Sequence, residues 1–212
     1  MTTLNAKNLT LDQVHRFLNL QERFESLPFS KLLLLEPLTE FEQQELIQIR
    51  DDFRYYLTSG KVLEGQIKLL VLAPLLRLAG FYRFPIQITL EQDIAEIAIA
   101  DEDITINGRA DILAINKLTA KAVSPYFWVL VIETKNSQID ALAGLPQLLT
   151  YAAHSLEGQT FVWGLTTNGV SYRFVYLQAG QPVTYQLLPE VNLIDAERAV
   201  QLLQALKAIR NL

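Results

Sequence analysis

Two spacings divide the hydrophobic pattern of this chain. Over the first sixty positions apolar residues return at helical intervals. Val14, Phe17, Leu18, Leu20 and Phe24 follow Thr10-Leu-Asp-Gln13, a capping box whose side chains satisfy free N–H groups at a helix start. Pro28 stops that pattern, and a short apolar connector over 31–36 is closed by Pro37. A second box, Thr39-Glu-Phe-Glu42, opens a stretch carrying Phe41, Leu46, Ile49, Phe53 and Tyr56, which Ser59-Gly60 ends. Residues 1–60 are therefore expected to form a helical N-terminal extension. An apolar helix over 61–78, closed by Gly80, comes next.

The spacing then changes to that of strands, expected over 84–90, 104–115 and 126–132. The last is apolar on both faces, as in a central strand covered on both sides. A helix follows over 140–156, with Gly144 and Pro146 making its first turns irregular, so that its regular part begins near Pro146. Strands at 161–166 and 170–177 are joined through Asn168-Gly169, a strong hairpin signal, and a short strand near 184–188 and a helix over 195–210 complete the chain. This order predicts an α/β core over 61–212, a mixed sheet flanked by helices.

The apolar run Phe127-Trp-Val-Leu-Val-Ile132 leads directly into Glu133-Thr-Lys135. Residues two apart on a strand share a face, so Glu133 and Lys135 should emerge together. Upstream, Arg109-Ala-Asp111-Ile-Leu sets a second carboxylate inside an apolar strand, where it is costly unless compensated. A divalent cation bridging Asp111 and Glu133 on adjacent strands is one such compensation, and Mg2+ suits a sparse carboxylate site completed by water. Such an ion activates water and neutralises phosphate charge, and a neighbouring Lys can orient that water or stabilise the transition state. Without metal the carboxylates should repel, so Asp111→Asn is expected to relieve strain. Arg109 is expected to pair with a surface carboxylate, and no His pair stands at zinc-ligand spacing.

In these residues the sequence resembles the PD-(D/E)xK nuclease superfamily, over about 61–177. Asp111 matches the aspartate of the first half-motif, with Ala110 in place of the proline, and Glu133-Thr-Lys135 matches the second half. The resemblance implies a restriction-endonuclease-like fold and two further matches. Glu64 stands where family members often carry a helical glutamate metal ligand, and Gln147 and Tyr151 match an i, i+4 pair on the following helix. Pro146, directly before Gln147, departs from the pattern. The hairpin Thr166-Thr-Asn-Gly169-Val-Ser-Tyr-Arg is similar to that of type I restriction subunits and their stand-alone relatives. The implied activity is Mg2+-dependent phosphodiester hydrolysis, with Mn2+ as a substitute metal and DNA as the substrate of an endonuclease. Asp111, Glu133, Lys135, Gln147 and Tyr151 are then the catalytic set, and Glu64, Asp111 and Glu133 the metal ligands. The alternative is a silent nuclease-fold subunit serving in binding or assembly.

Charge keeps that alternative open. The net charge of −5 disfavours nucleic-acid affinity, which phosphate neutralisation usually supplies. The stretch 91–103 holds Glu91, Asp93, Glu96, Asp101, Glu102 and Asp103 without a cation and is expected to be a solvated loop. Over 104–136 the balance reverses, with Arg109, Lys117, Lys121 and Lys135 against Asp111 and Glu133. A homodimer or a partner subunit supplying specificity is compatible with this sequence. The chain has no Cys, no secretion-signal layout and no apolar run near the roughly 20 residues of a membrane span, so it is expected to be cytoplasmic.

Overall fold

A computed structural model describes residues 2–25, 27–99, 102–118 and 127–212. The first sixty contain α1 (Leu11–Leu18) and α2 (Glu40–Thr58), each opened by the complete capping box written in the sequence, Thr10 with Gln13 and Thr39 with Glu42. They are not wholly helical, however. Strand β1 (Thr2–Asn5) precedes α1, and Asn19, in the left-handed conformation at φ 48°, ends α1 early and turns the chain into β2 (Leu20–Glu22). These short strands carry no period of their own, and pairing with distant partners makes them strands.

The helix expected from residue 61 starts at Glu64 and is interrupted. It comprises α3 (Glu64–Ile67), a π-helical turn over Lys68–Leu72, and α4 (Ala73–Leu78). Pro74 has no amide to bond the carbonyl of residue 70, and the widened turn lies directly before it. Two long strands follow, β3 (Ile86–Ile99) and β4 (Ile104–Asn116). The acidic stretch is thus largely strand, a correction to the expected loop. Ile94 is buried, and Ile97, Ala98 and Ile99 pair with Ile106, Thr105 and Ile104 beyond a bulge. Next come β5 (Phe127–Thr134), a 3-10 turn Ala141–Gly144, and α5 (Leu145–Ser155). The remaining elements are β6 (Phe161–Thr167), β7 (Ser171–Gln178), β8 (Val183–Leu187), β9 (Val191–Asn192) and α6 (Ala196–Arg210). The expected strand start at Tyr126, and the charges Asp101 and Lys121, lie outside the described residues.

The described strands form one mixed sheet in the order β1-β4-β5-β6-β7-β8-β2, with β3 on β4 and β9 on β7. Pairing is parallel for β1–β4, β5–β6 and β2–β8, and antiparallel elsewhere. Each face carries its own apolar cluster. One gathers Phe53, Ile67, Leu72, Leu75, Leu130, Ile132, Leu202 and Leu206 beneath α2, α4 and α6. The other gathers Val14, Leu113, Val131, Leu148, Leu149 and Tyr151 beneath α1 and α5. Phe29, Leu46 and Phe53 enter the first, and Ala6, Val14 and Leu20 the second, so the N-terminal sixty residues help build both faces.

One break in the sheet positions the site. Along one edge, β4 pairs with β1 over Ile104–Asn107 and with β5 over Ile112–Asn116. Residues 108–111 between these ladders have no strand partner on that edge.

Candidate active site

The register Ile112↔Ile132, continued one step, sets Asp111 opposite Glu133. Directly opposed residues of an antiparallel pair share a face, so the two carboxylates come together as expected. The ladder ends there, and the next amide, Thr134 N–H, donates to Asp111 Oδ2 at 2.8 Å. Lys135 N–H donates to Thr167 O at 2.7 Å, tying the end of β5 to β6. The Lys135 ammonium lies 3.0 Å from Glu133 Oε1 and 3.4 Å from Gln147 Oε1.

From α5, Gln147 and Tyr151 reach the unpaired segment of β4. Gln147 Nε2 donates to Arg109 O at 3.5 Å, and Arg109 N–H donates to the Tyr151 hydroxyl at 3.0 Å. Side chains thus replace the missing strand there, which satisfies backbone groups that would otherwise be stranded. Tyr151 is fully buried, and its hydroxyl is pushed up to about 12, chiefly by burial. At neutral pH it accepts this hydrogen bond as a neutral phenol. Arg109 itself points outward to Glu91 at 3.3 Å, as expected of a surface pair.

Three residues of the site went unread in the sequence. Lys68, on the π turn, donates to Asp111 Oδ1 at 2.7 Å. Nothing in helical spacing marked it, because the widened turn resets which residues face the sheet. A Cβ on Gly144 would lie 2.9 Å from Glu133 Cγ, and one on Gly108 would lie 2.4 Å from the Tyr151 hydroxyl. A glycine inside a strand pattern is a sign of close approach, so Gly108 carried a readable signal.

Glu64 does not join the pair as a third ligand. It is half-buried at the first position of α3, and among the described residues no hydrogen bond or ion pair reaches its carboxylate. No group of three His, Cys, Asp or Glu able to hold a metal is present among the described residues. The assembled set is instead a quartet of two carboxylates and two lysines, Lys68 with Asp111 and Lys135 with Glu133.

That quartet is imperfectly satisfied. Glu133 is 2 % exposed, and its Oε2 is buried with no hydrogen-bond partner among the described residues, a state that costs about 1–3 kcal/mol or more. Burial first, and the facing Asp111 carboxylate second, push Glu133 up to about 8, against the opposing pull of Lys135 and Lys68. An orphaned carboxylate oxygen beside a second carboxylate fits one hard cation whose other ligands are water and substrate oxygens. A cleft of about 470 Å³ reaches the Asp111 side of the pair, lined by Asn107, Gly108, Arg109, Asp111, Gln147 and Tyr151, with Glu133 buried behind it. Lys7 also lines it, and so do Asp93 and Glu96, which make its outer wall acidic.

No protein-family model matches the chain, and no curated protein does. Among solved structures, a match was found to the fragment structure of a protein assigned as the HsdR subunit of a type I restriction enzyme from Vibrio vulnificus YJ016. It has 19% sequence identity and a TM-score of 0.39, and covers 67% of this chain and 25% of that one. The alignment thus spans about a quarter of the neighbour's length. No helix among the described residues is long and apolar enough to cross a membrane.

Proposed function

We propose that the protein is a metal-dependent nuclease of the PD-(D/E)xK type, hydrolysing phosphodiesters in DNA as an endonuclease, with Asp111 and Glu133 holding Mg2+ or Mn2+. The observation that carries this is the buried Glu133 facing Asp111 across β4 and β5, with one Glu133 oxygen unpartnered among the described residues and a cleft whose wall includes Asp111. When bound there, the ion supplies an activated water and charge neutralisation at the phosphate. The remaining work falls to side chains. Lys135, held between Glu133 and Gln147, is placed to orient the attacking water or to stabilise charge developing on the phosphate oxygens. Lys68, bonded to Asp111, would hold that carboxylate in place and bring a positive charge that could also meet a phosphate oxygen beside it. Gln147 and Tyr151 fix the backbone of β4 so that Asp111 stays aimed at Glu133.

A second reading is a silent nuclease-fold subunit serving in assembly. Lys68 seated on Asp111, the third carboxylate standing apart and the acidic cleft wall favour it. Incubation of the parent and Asp111→Asn with plasmid, single-stranded DNA and RNA, in Mg2+ or Mn2+, separates the two. Cutting by the parent alone supports the nuclease. An inert parent on every substrate and metal leaves the assembly role.

A further inference from the structure

The helix that offers Lys68 to the site ends in a second concentration of charge. Nine residues on, roughly 14 Å along the helix axis, Arg77 lines a separate cavity of about 650 Å³ between the start of α2 and the ends of α4 and α6. Arg83, Lys207 and Arg210 line it too. Of these cations Lys207 alone has an acid in ion-pair range among the described residues, Glu42 at 2.5 Å. Arg210 is held by neutral acceptors: Nε donates to Gly80 O at 3.3 Å, Nη2 to Phe84 O at 3.5 Å and Nη1 to Asn211 Oδ1 at 3.1 Å. Its charge is thereby positioned without being cancelled. With Glu42 taken by Lys207, Glu45 is the remaining acid of the lining, against three arginines, in a chain whose net charge is −5.

The same cavity carries two exposed rings, Phe41 at 64% and Tyr82 at 53% exposure. Aromatic faces beside uncompensated guanidiniums make a stacking surface next to a phosphate clamp.

We infer that this cavity binds a nucleotide, its phosphate against Arg77, Arg83 and Arg210 and its base on Tyr82 or Phe41. Planar guanidiniums match phosphate oxygens two at a time, and the volume lies within the range of about 300–1,000 Å³ usual for small-molecule sites. A free nucleotide and a nucleotide within a single strand present the same phosphate and ring. The inference is independent of the nuclease proposal, because none of these residues belongs to the quartet.

Calorimetric titration in EDTA, with inorganic phosphate, dAMP and a short oligothymidylate as probes, tests it. EDTA removes any metal-borne phosphate affinity from the other site, and Arg16→Gln, exposed on α1 over the opposite face of the sheet, serves as the control that leaves binding unchanged. Saturable dAMP binding is expected, weakened about tenfold or more in Arg77→Gln/Arg83→Gln and also weakened in Tyr82→Ala. These three side chains are exposed, so the variants should keep the parent's melting temperature. An oligonucleotide that binds much more tightly than dAMP makes the strand the source, and equal affinity makes it the free nucleotide. Absence of saturation by every probe up to about 10 mM, equal affinity in the arginine variant, or inorganic phosphate binding as tightly as dAMP would each overturn the inference.

Discussion

The two faces of the sheet draw on the same strands and come out differently. Toward α2, α4 and α6, β4 and β5 offer Ile112, Ala114, Leu130 and Ile132, which meet apolar partners. Toward α5 they offer Val131 and Leu113, and then, where the ladder stops, Asp111 and Glu133. One face is closed by packing alone. The other is interrupted by two carboxylates that two lysines, a backbone amide and a glutamine hold in place, and one oxygen is left over. A fold that needed these strands only for stability would gain by extending the apolar face. A buried, partly unsatisfied carboxyl group with its pKa pushed up is what the proposed chemical role accounts for and packing does not.

Activity should separate the two faces most strongly. Lys135→Ala should lower any cleavage rate by about 10²–10³-fold while leaving the thermal melt near the parent's, because it removes an interaction needed in the transition state. A variant that cuts as fast as the parent under matched metal removes Lys135 from the mechanism. The apolar face predicts the reverse profile. Leu130→Ala, which empties space beside a fully buried strand, should cost about 2–5 kcal/mol of stability in a denaturant titration. A loss well below that range would mean that this face is not the tightly packed one.

A third test sharpens the contrast through pH. Glu133 is raised from 4.5 to about 8, so between those values the folded protein holds a proton that the unfolded chain does not. Its contribution to stability is therefore fully present below about 4.5 and is lost as pH rises to about 8. In EDTA the parent should lose stability relative to Glu133→Gln across that window, by at most about 1.4 kcal/mol per pH unit. Parallel stability curves for the two proteins would show that Glu133 is not under the stress described. The sequence suggested Asp111→Asn as the relieving change. With Lys68 and Thr134 N–H both bonded to Asp111, relief shifts to Glu133, and Asp111→Asn instead weakens the partner of Lys68.

These contrasts also explain what could be read in advance. Asp111, Glu133 and Lys135 stood out because an apolar strand makes any carboxylate conspicuous, and period-two alternation placed them correctly. Lys68 was invisible, since a π turn before Pro74 alters the helical phase and no local pattern announces it. Strands β1 and β2 were missed because Thr2–Asn5 and Leu20–Glu22 are short and mostly polar or exposed, and become strands through β4 and β8. The outer half of β3 was hidden by its acids, although Ile94 and Ile97 kept an inward side. Glu64 differs again: it matches a family position in sequence, and among the described residues its carboxylate forms no three-ligand group with the pair.

The smallest expected effect is the most direct test that the Asp111–Glu133 pair is a cation site. A ligand that binds the folded state alone stabilises it by RT ln(1 + [L]/Kd), roughly 1.4 kcal/mol at ten times Kd, or about 3–6 °C in melting temperature for a chain of this size. Thermal melts in Mg2+ or Mn2+, against a non-coordinating salt at equal ionic strength, should show that shift in the parent and far less of it in Asp111→Asn. A parent indifferent to both metals well into the millimolar range would contradict the site.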